Sequence, residues 1–311
     1  MNTLRIITWN ANGLTQRKHE LEFFLNENKI DVALISETHC TNWTVVKMRG
    51  YRVYTTVHPS NKARGGTAVI IKDSIKHHEL EKCSKDYLQG TKVHIAQPNN
   101  GLIVAAVYCP PRHAIVANQF MEFLQTLGKR FIAGGDWNAK HTHWASRLIT
   151  PKGRELLKAI LEIPADVITS RKPTYWPTDE NKRSDLIDFF VTKGISSNYT
   201  EVDGLVDLTS DHIPVLLTLS SSVIKKDRRS ILTTKHTNWD HFRERLDAGI
   251  NLQVRLKSKQ NLDEAITAFT EAIQKAAKEA TPEIRALGEP KVEYPLEIRQ
   301  LVKQRRKARR T

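Results

Sequence analysis

The sequence predicts an α/β fold in which two mixed β-sheets pack face to face with helices outside. Three observations lead there. Over the first 220 residues, roughly ten short apolar or β-branched runs alternate with amphipathic stretches. Several neighbouring runs, such as VIIK, VHIA and LIVAAV, are linked too briefly for crossover helices, so antiparallel pairing must be mixed in. A 311-residue chain with 40% hydrophobic residues also has enough apolar surface for a sizeable core.

LRIITW reads as the first strand, and HELEFFLNENK as a helix carrying Leu21, Phe24 and Leu25 on one face. DVALIS holds the continuous apolar run VALI, as a strand covered on both faces does. GGTAVIIK, TKVHIAQ and GLIVAAVY follow as strands, and Ile115 to Leu127 as a helix with Val116, Phe120, Phe123, Leu124 and Leu127 in period. RFIAGG is a strand that breaks at two glycines. Lys152 to Leu161 is a helix, and DVITS, TYW, DLIDFFV and HIPVLLTL are strands.

Past Leu219 the texture changes, because SSVIKKDRRS is polar and basic, as linkers are. The chain is therefore read as one domain over 1–220 and a basic linker with a helical region over 221–311. There, NLDEAITAFTEAIQKAAKEA sets Leu262, Ile266, Phe269 and Ile273 at helical spacing, with Asp263 and Glu264 expected in the first turn. KQRRKARR reads as a solvated or nucleic-acid-contacting tail.

Forty-eight basic against 34 acidic residues give a net charge of +14, which favours nucleic acid over an anionic membrane surface as the partner. Residues 221–311, with 21 basic and 12 acidic side chains, hold most of the excess. The longest apolar run, Leu102 to Cys109, is far shorter than the roughly 20 residues of a spanning helix. MNTLRIITWN lacks the pattern of a secretory signal, so an intracellular protein without a membrane partner is expected. Cys40, Cys83 and Cys109 are odd in number and scattered, as reduced thiols are.

The chemistry collects where strands end. FIAGGDWNAKHTHW delivers Asp136, Asn138, His141 and His143 within eight positions. LRIITWNANG adds Asn10 and Asn12, DVALISETH adds Glu37 and His39, SDLIDFF adds Asp185 and Asp188, and TSDHIPVLLTL adds Asp211 and His212. Singly, each has a plain structural explanation: Asn12-Gly13 as a turn, Asp188 as a paired polar group, Asp211-His212 as a loop junction. Together they predict one polar centre, because ligands of α/β sheets gather at strand ends. Oxygen ligands without cysteine suit a hard cation, Mg²⁺ or Mn²⁺. Phosphoester hydrolysis follows as chemistry, with a cation neutralising the phosphate and an Asp-polarised His activating water.

The ordered series TWNANGL, ISETH, VYCPPR, GGDWNAKH, SDLIDFF and TSDHIPV, within residues 4–219, resembles the endonuclease/exonuclease/phosphatase superfamily, which includes deoxyribonuclease I and the apurinic endonucleases. VYCPPR and GGDWNAKHTHW resemble the endonuclease domain of jockey-like non-LTR retrotransposons, in which it precedes a reverse transcriptase. The resemblance implies a four-layer α/β sandwich. It implies Glu37 as principal Mg²⁺ ligand, Asn10 beside it and Asp211 as an auxiliary ligand. Asp136 and Asn138 would hold the attacking water and the scissile phosphate, and Tyr108 would give its hydroxyl to a phosphate oxygen. Asp188 would orient His212, which acts as general base or as donor to the phosphate. DNA contacts are expected at Arg112, His143 and Trp144, and at Lys62 and Arg64 of the loop HPSNKARGG. Two departures stand out: Asn12 occupies a position where apurinic endonucleases have Asp, and Cys109-Pro110-Pro111-Arg112 replaces their Asn-containing turn.

The implied function is a Mg²⁺-dependent endonuclease that nicks duplex target DNA and leaves a 3′-hydroxyl primer. Its expected partners are the element RNA and the reverse transcriptase of the same polyprotein, and its expected location is the nucleus. A cellular apurinic-site repair endonuclease and a catalytically inactive nucleic-acid-binding module are the alternatives.

Overall fold

The apolar runs pair as two mixed sheets in the computed structural model, which describes residues 3–97, 101–179, 181, 183–205, 207–224, 232–234, 236–250, 254 and 258–282. The first sheet runs in the order β12 (Thr200–Gly204), β13 (Val215–Ser220), β1 (Thr3–Asn10), β2 (Val32–Ser36), β4 (Thr67–Lys72) and β3 (Tyr51–Thr56). The second runs β10 (Asp166–Ile168), β11 (Asp188–Lys193), β9 (Phe131–Asp136), β8 (Leu102–Tyr108), β7 (Gln89–Ile95) and β5 (His77–Glu79), with β6 (Cys83–Ser84) also on β7. Each sheet has one parallel pair, β1 with β2 and β8 with β9, and both pairs deliver polar residues at the same strand ends.

Three apolar layers hold the sandwich. Between the sheets, Ile6, Leu34, Val69 and Val215 meet Val104, Ile132 and Phe190. Outside the first sheet, Ile7, Trp9, Ala33 and Ile35 cover α1 (Lys18–Glu27) through Leu21, Phe24 and Leu25. Outside the second, Ala105, Val107, Ala133 and Phe189 cover α2 (Ala117–Gln125) and α3 (Pro151–Glu162). Each fully buried Leu, Ile or Phe here contributes about 1.5–3 kcal/mol through lost apolar hydration. The expected four-layer α/β sandwich is what the chain forms.

The two glycines expected to break RFIAGG do not break it, since β9 runs through them to Asp136; they mark where backbones come too close for a side chain. A Cβ at Gly134 would meet Phe190 and Leu34 at 2.7 and 2.9 Å, and one at Gly135 would fall inside the Val107 backbone on β8. They let the two sheets and the parallel pair close up immediately before Asp136.

Several sequence expectations shift. TYW forms no strand; Tyr175 makes isolated bridges to Asp185 and His212. Trp144, expected on DNA, is 1% exposed in the outer core. A one-turn 3-10 helix at Thr142–Trp144 turns its indole inward against Phe189, ring centroids 5.1 Å apart, and Nε1 donates to the Ala139 carbonyl at 3.1 Å. Trp144→Ala should cost about 3–5 kcal/mol of stability and leave the DNA affinity of the folded protein unchanged. Chemical denaturation and a binding titration on the same sample check both.

The chain divides into two compact units, Met1–Lys225 and Lys226–Thr311. The second contains α4 (Trp239–Gly249), which hydropathy alone did not reveal, and α5 (Lys259–Ala280). Ala276, Ala277 and Ala280 are buried in this unit, and Arg245 pairs with Glu279 at 3.1 Å. Helix α5 starts at Lys259, capped by Ser258, so Asp263 and Glu264 lie beyond its first turn. The KQRRKARR segment lies outside the described residues. No described helix is long and apolar enough to cross a membrane.

Candidate active site

The C-terminal ends of β1, β2 and β9 and the start of β11 open on one cleft of about 960 Å³. Asn10, Asn12, Glu37, Asp136, Asn138, Asp211 and His212 all line it. Four separate strand-end motifs therefore converge on it, and the fifth backs it through Asp188, bonded to His212.

Glu37 leaves β2 in the left-handed region, φ 50°, and His39 does the same at φ 53°. Such backbone costs on the order of 1–3 kcal/mol per residue and persists only where the surroundings hold it. Here the Gly13 N–H donates to the Glu37 carbonyl at 2.8 Å, Leu14 N–H to Thr38 at 3.0 Å, and His39 N–H to Gly65 at 2.9 Å. The kink turns the Glu37 carboxylate into the cleft. Burial opposes its charge, but hydrogen bonds from His39, Tyr108 and Asn10 outweigh burial and hold the carboxyl below its usual range. Tyr108 is itself buried behind Glu37, and burial together with Glu37 and Asp136 pushes its hydroxyl far above the usual value.

Asp136 ends β9 with both oxygens occupied. Oδ1 accepts the Asn138 backbone N–H at 2.9 Å, while Oδ2 accepts the amides of Asn10 at 3.0 Å and Asn138 at 2.9 Å. Burial, then Asp188, raises its carboxyl, with His212 pulling the other way. Opposite, the His212 Nδ1–H meets Asp188 Oδ2 at 2.8 Å, and both side chains are almost fully buried. Burial alone would lower the imidazole; Asp188, Asp136 and Asp211 overturn that and push it up to about 9. Outside this pair the position is fixed by the backbone: Trp9 Nε1–H donates to the His212 carbonyl at 3.0 Å, and the Ser210 hydroxyl accepts His212 N–H at 3.0 Å.

Three supporting residues were not foreseen. Thr174, fully buried, donates to Asp188 Oδ2 at 2.8 Å and accepts the Ile187 and Asp188 N–H groups at 3.1 Å. Tyr175 lays its ring against His212, centroids 4.7 Å apart. Ser210 ties the Asn10 carbonyl to the His212 segment. Only polarity within the TYW and TSDH stretches hinted at them. Asp185, by contrast, is a strut: buried, it accepts Arg147 N–H at 2.8 Å and Leu186 N–H at 2.9 Å, and pairs with Lys140 at 3.0 Å.

Burial would raise the Asp185 carboxyl, but those donors hold it below its usual range. Because the folded form prefers the ionised group, this stabilisation is complete above the unfolded carboxylate range and disappears as pH falls through the folded value. Asp185→Asn should therefore cost about 1–3 kcal/mol at pH 7, with the gap to wild type narrowing at an acid pH below the usual carboxylate range. Thermal melts at both pH values check this; an equal gap at both would contradict it.

The DNA-contact candidates separate. Arg112 is exposed and lines the cleft; His143, on the one-turn 3-10 helix, and Lys62 and Arg64, on a loop, are exposed outside its lining. The group fits a divalent cation. Glu37, Asp136 and Asp211 line the cleft and Asp188 backs it, with the imidazole of His212 held on Asp188. Asp188 Oδ1 is buried without a hydrogen-bond partner among the described residues, and ligand atoms of Asp136, Asp188 and His212 lie within 4.8 Å of one another.

Fold and site together define an α/β-sandwich protein of the phosphoester-hydrolase type. The chain belongs to the Endonuclease/Exonuclease/phosphatase family, whose model matches residues 7–212. It is 33% identical over 311 residues to the probable RNA-directed DNA polymerase from transposon X-element of Drosophila melanogaster, covering 99% of this chain and 34% of the relative. To the RNA-directed DNA polymerase from mobile element jockey of the same fly it is 33% identical over 310 residues, again 99% of this chain and 34% of the relative. The chain thus spans about a third of the length of these curated relatives. Among solved structures, the endonuclease domain of TRAS1, a telomere-specific non-LTR retrotransposon, matches with a TM-score of 0.58 at 19% identity, covering 70% of this chain and 98% of that one. The AP endonuclease LMAP from Leishmania major matches with a TM-score of 0.61 at 15% identity, covering 71% and 89%.

Proposed function

We propose that this chain nicks one strand of duplex DNA by Mg²⁺- or Mn²⁺-dependent phosphodiester hydrolysis. The 3′-hydroxyl left behind would prime copying of an element RNA by a reverse transcriptase in the same polyprotein, in the nucleus. The observation that carries the hydrolytic part is the juxtaposition of the His212–Asp188 pair, Asp136 with Asn138, and Glu37 in one cleft. The retroelement part is supported by relatives named as transposon polymerases that align with nearly the whole chain.

Glu37, with Asn10 and Asp211 around it, would hold the cation, which when bound neutralises phosphate charge and polarises the leaving oxygen. Asp136 takes a proton from the attacking water, whose position is fixed by the Asn138 amide. His212, kept cationic by Asp188, donates from Nε2 to a phosphate oxygen as charge develops there. Tyr108 keeps Glu37 ionised and in place. Arg112 draws the strand into the cleft, with Lys62, Arg64 and His143 as further contacts to the duplex backbone.

Incubating the purified chain with supercoiled plasmid, with and without chelator, tests this. Metal-dependent conversion to open circles is expected, and none in chelator. Equal rates on intact and abasic duplex fit a target-nicking enzyme, whereas cutting confined to abasic sites would favour a repair role.

A further inference from the structure

The cleft does not end at the carboxylates. It continues into a recess between the turn after β8 and the first turn of α3, with Arg112 on one lip and Thr150, Pro151 and Lys152 on the other. Lys152 is the unusual residue there. The residue is 8% exposed, and its ammonium donates to the Pro110 carbonyl. That is one acceptor for three N–H bonds, with none for the other two among the described residues. A buried ammonium loses much of its hydration free energy and normally recovers it through anionic or multiple partners.

Neighbouring charges do not supply this. Lys140 is committed to Asp185 at 3.0 Å, and Glu155 is taken by Ala117 N–H at 3.0 Å and by Lys158. Arg112 is exposed and adds positive charge on the facing lip. Burial pulls the Lys152 ammonium below its usual range, with Cys109 and Asp136 opposing this only in part, and burial drives the Cys109 thiol toward its neutral form. The positive end of the α3 dipole lies on the same wall, its Thr150 cap satisfying Gly153 N–H.

We propose that this recess is a second phosphate subsite, in which Lys152 and Arg112 grip a backbone phosphate of the cut strand next to the scissile one. The proposal rests on duplex DNA being the substrate. It makes Lys152 a binding residue that fixes the strand's register across Asp136 and His212, so that the phosphodiester to be cut cannot slide past them. A shared pair of basic side chains reads charge and spacing, not base identity.

The test is a cycle on a duplex with one mapped nick site, carrying a single neutral methylphosphonate at each of the three phosphates on either side in turn. For the full wild-type chain, kcat/KM should drop about 10- to 100-fold at one non-scissile position, the effect of losing a charge-assisted contact. Lys152→Met, which keeps the aliphatic stem, should lose about as much on unmodified duplex and then be indifferent to the methylphosphonate at that position alone. Lys152→Arg should restore the sensitivity, and Arg112→Ala, on the surface, should reduce it without changing the melting temperature. If Lys152→Met loses further at every position just as wild type does, the lysine is only a strut for Pro110 and the subsite is overturned. Wild-type protein that cuts no duplex at all would overturn the underlying reading, and the subsite with it.

Discussion

His212→Ala should slow nicking by about 10² to 10⁴, the loss expected when a positioned proton donor or acceptor is removed. The fold should survive, because what anchors this position is backbone: Trp9 holds the carbonyl, Ser210 the N–H, and neither bond needs the imidazole. The variant does leave Asp188 with Thr174 as its hydrogen-bond partner at Oδ2 and none at Oδ1. Asp188→Asn on an intact His212 should produce a smaller loss, since the ring keeps its place against Tyr175 while its counter-charge is gone. Single-turnover nicking with enzyme in excess measures both, and a His212→Ala protein cutting at wild-type speed would remove the imidazole from the chemistry.

Glu37→Gln should be comparably severe, at about 10² to 10³ or more in rate. The amide preserves shape and can still bond to Tyr108 or Asn10, so what is lost is the negative charge. The expected signature is a metal requirement displaced to higher concentration, with the melting temperature nearly unchanged. A rate profile against Mg²⁺ concentration that superimposes on wild type would show that this carboxylate does not hold the cation.

Much of the architecture could be read in the sequence because its inner strands are covered on both sides. DVALIS and GLIVAAVY carry the continuous apolar runs VALI and LIVAAV for that reason, and the polar residues that follow them had to be turns or a site. The strands that escaped notice are edges or ribbons. TEVDG at the rim of the first sheet alternates buried and exposed positions with one β-branched apolar residue, and HHE and CS pair only with β7. Such segments take their conformation from a neighbour, which no local pattern records.

The site was legible as a set of strand-end polar residues, but not its support. Thr174 reads as one more β-branched residue, and only the fold brings it to Asp188. Trp144 misled for the opposite reason. The resemblance put it on DNA, yet the turn at Thr142–Trp144 rotates the indole into the outer core while leaving His143 exposed. Nothing in the sequence marks Lys152 beyond its place at the start of a helix; its burial comes from α3 starting against the turn after β8.

The most direct test of one hydrolytic centre at these strand ends is the chemistry of the cut itself. Plasmid nicked by the wild-type chain in Mg²⁺ should be extended by a DNA polymerase without prior phosphatase treatment, because water attack with the 3′ oxygen as leaving group yields a 3′-hydroxyl. Nicks bearing a 3′-phosphate, or nicks that form unchanged in chelator, would contradict it.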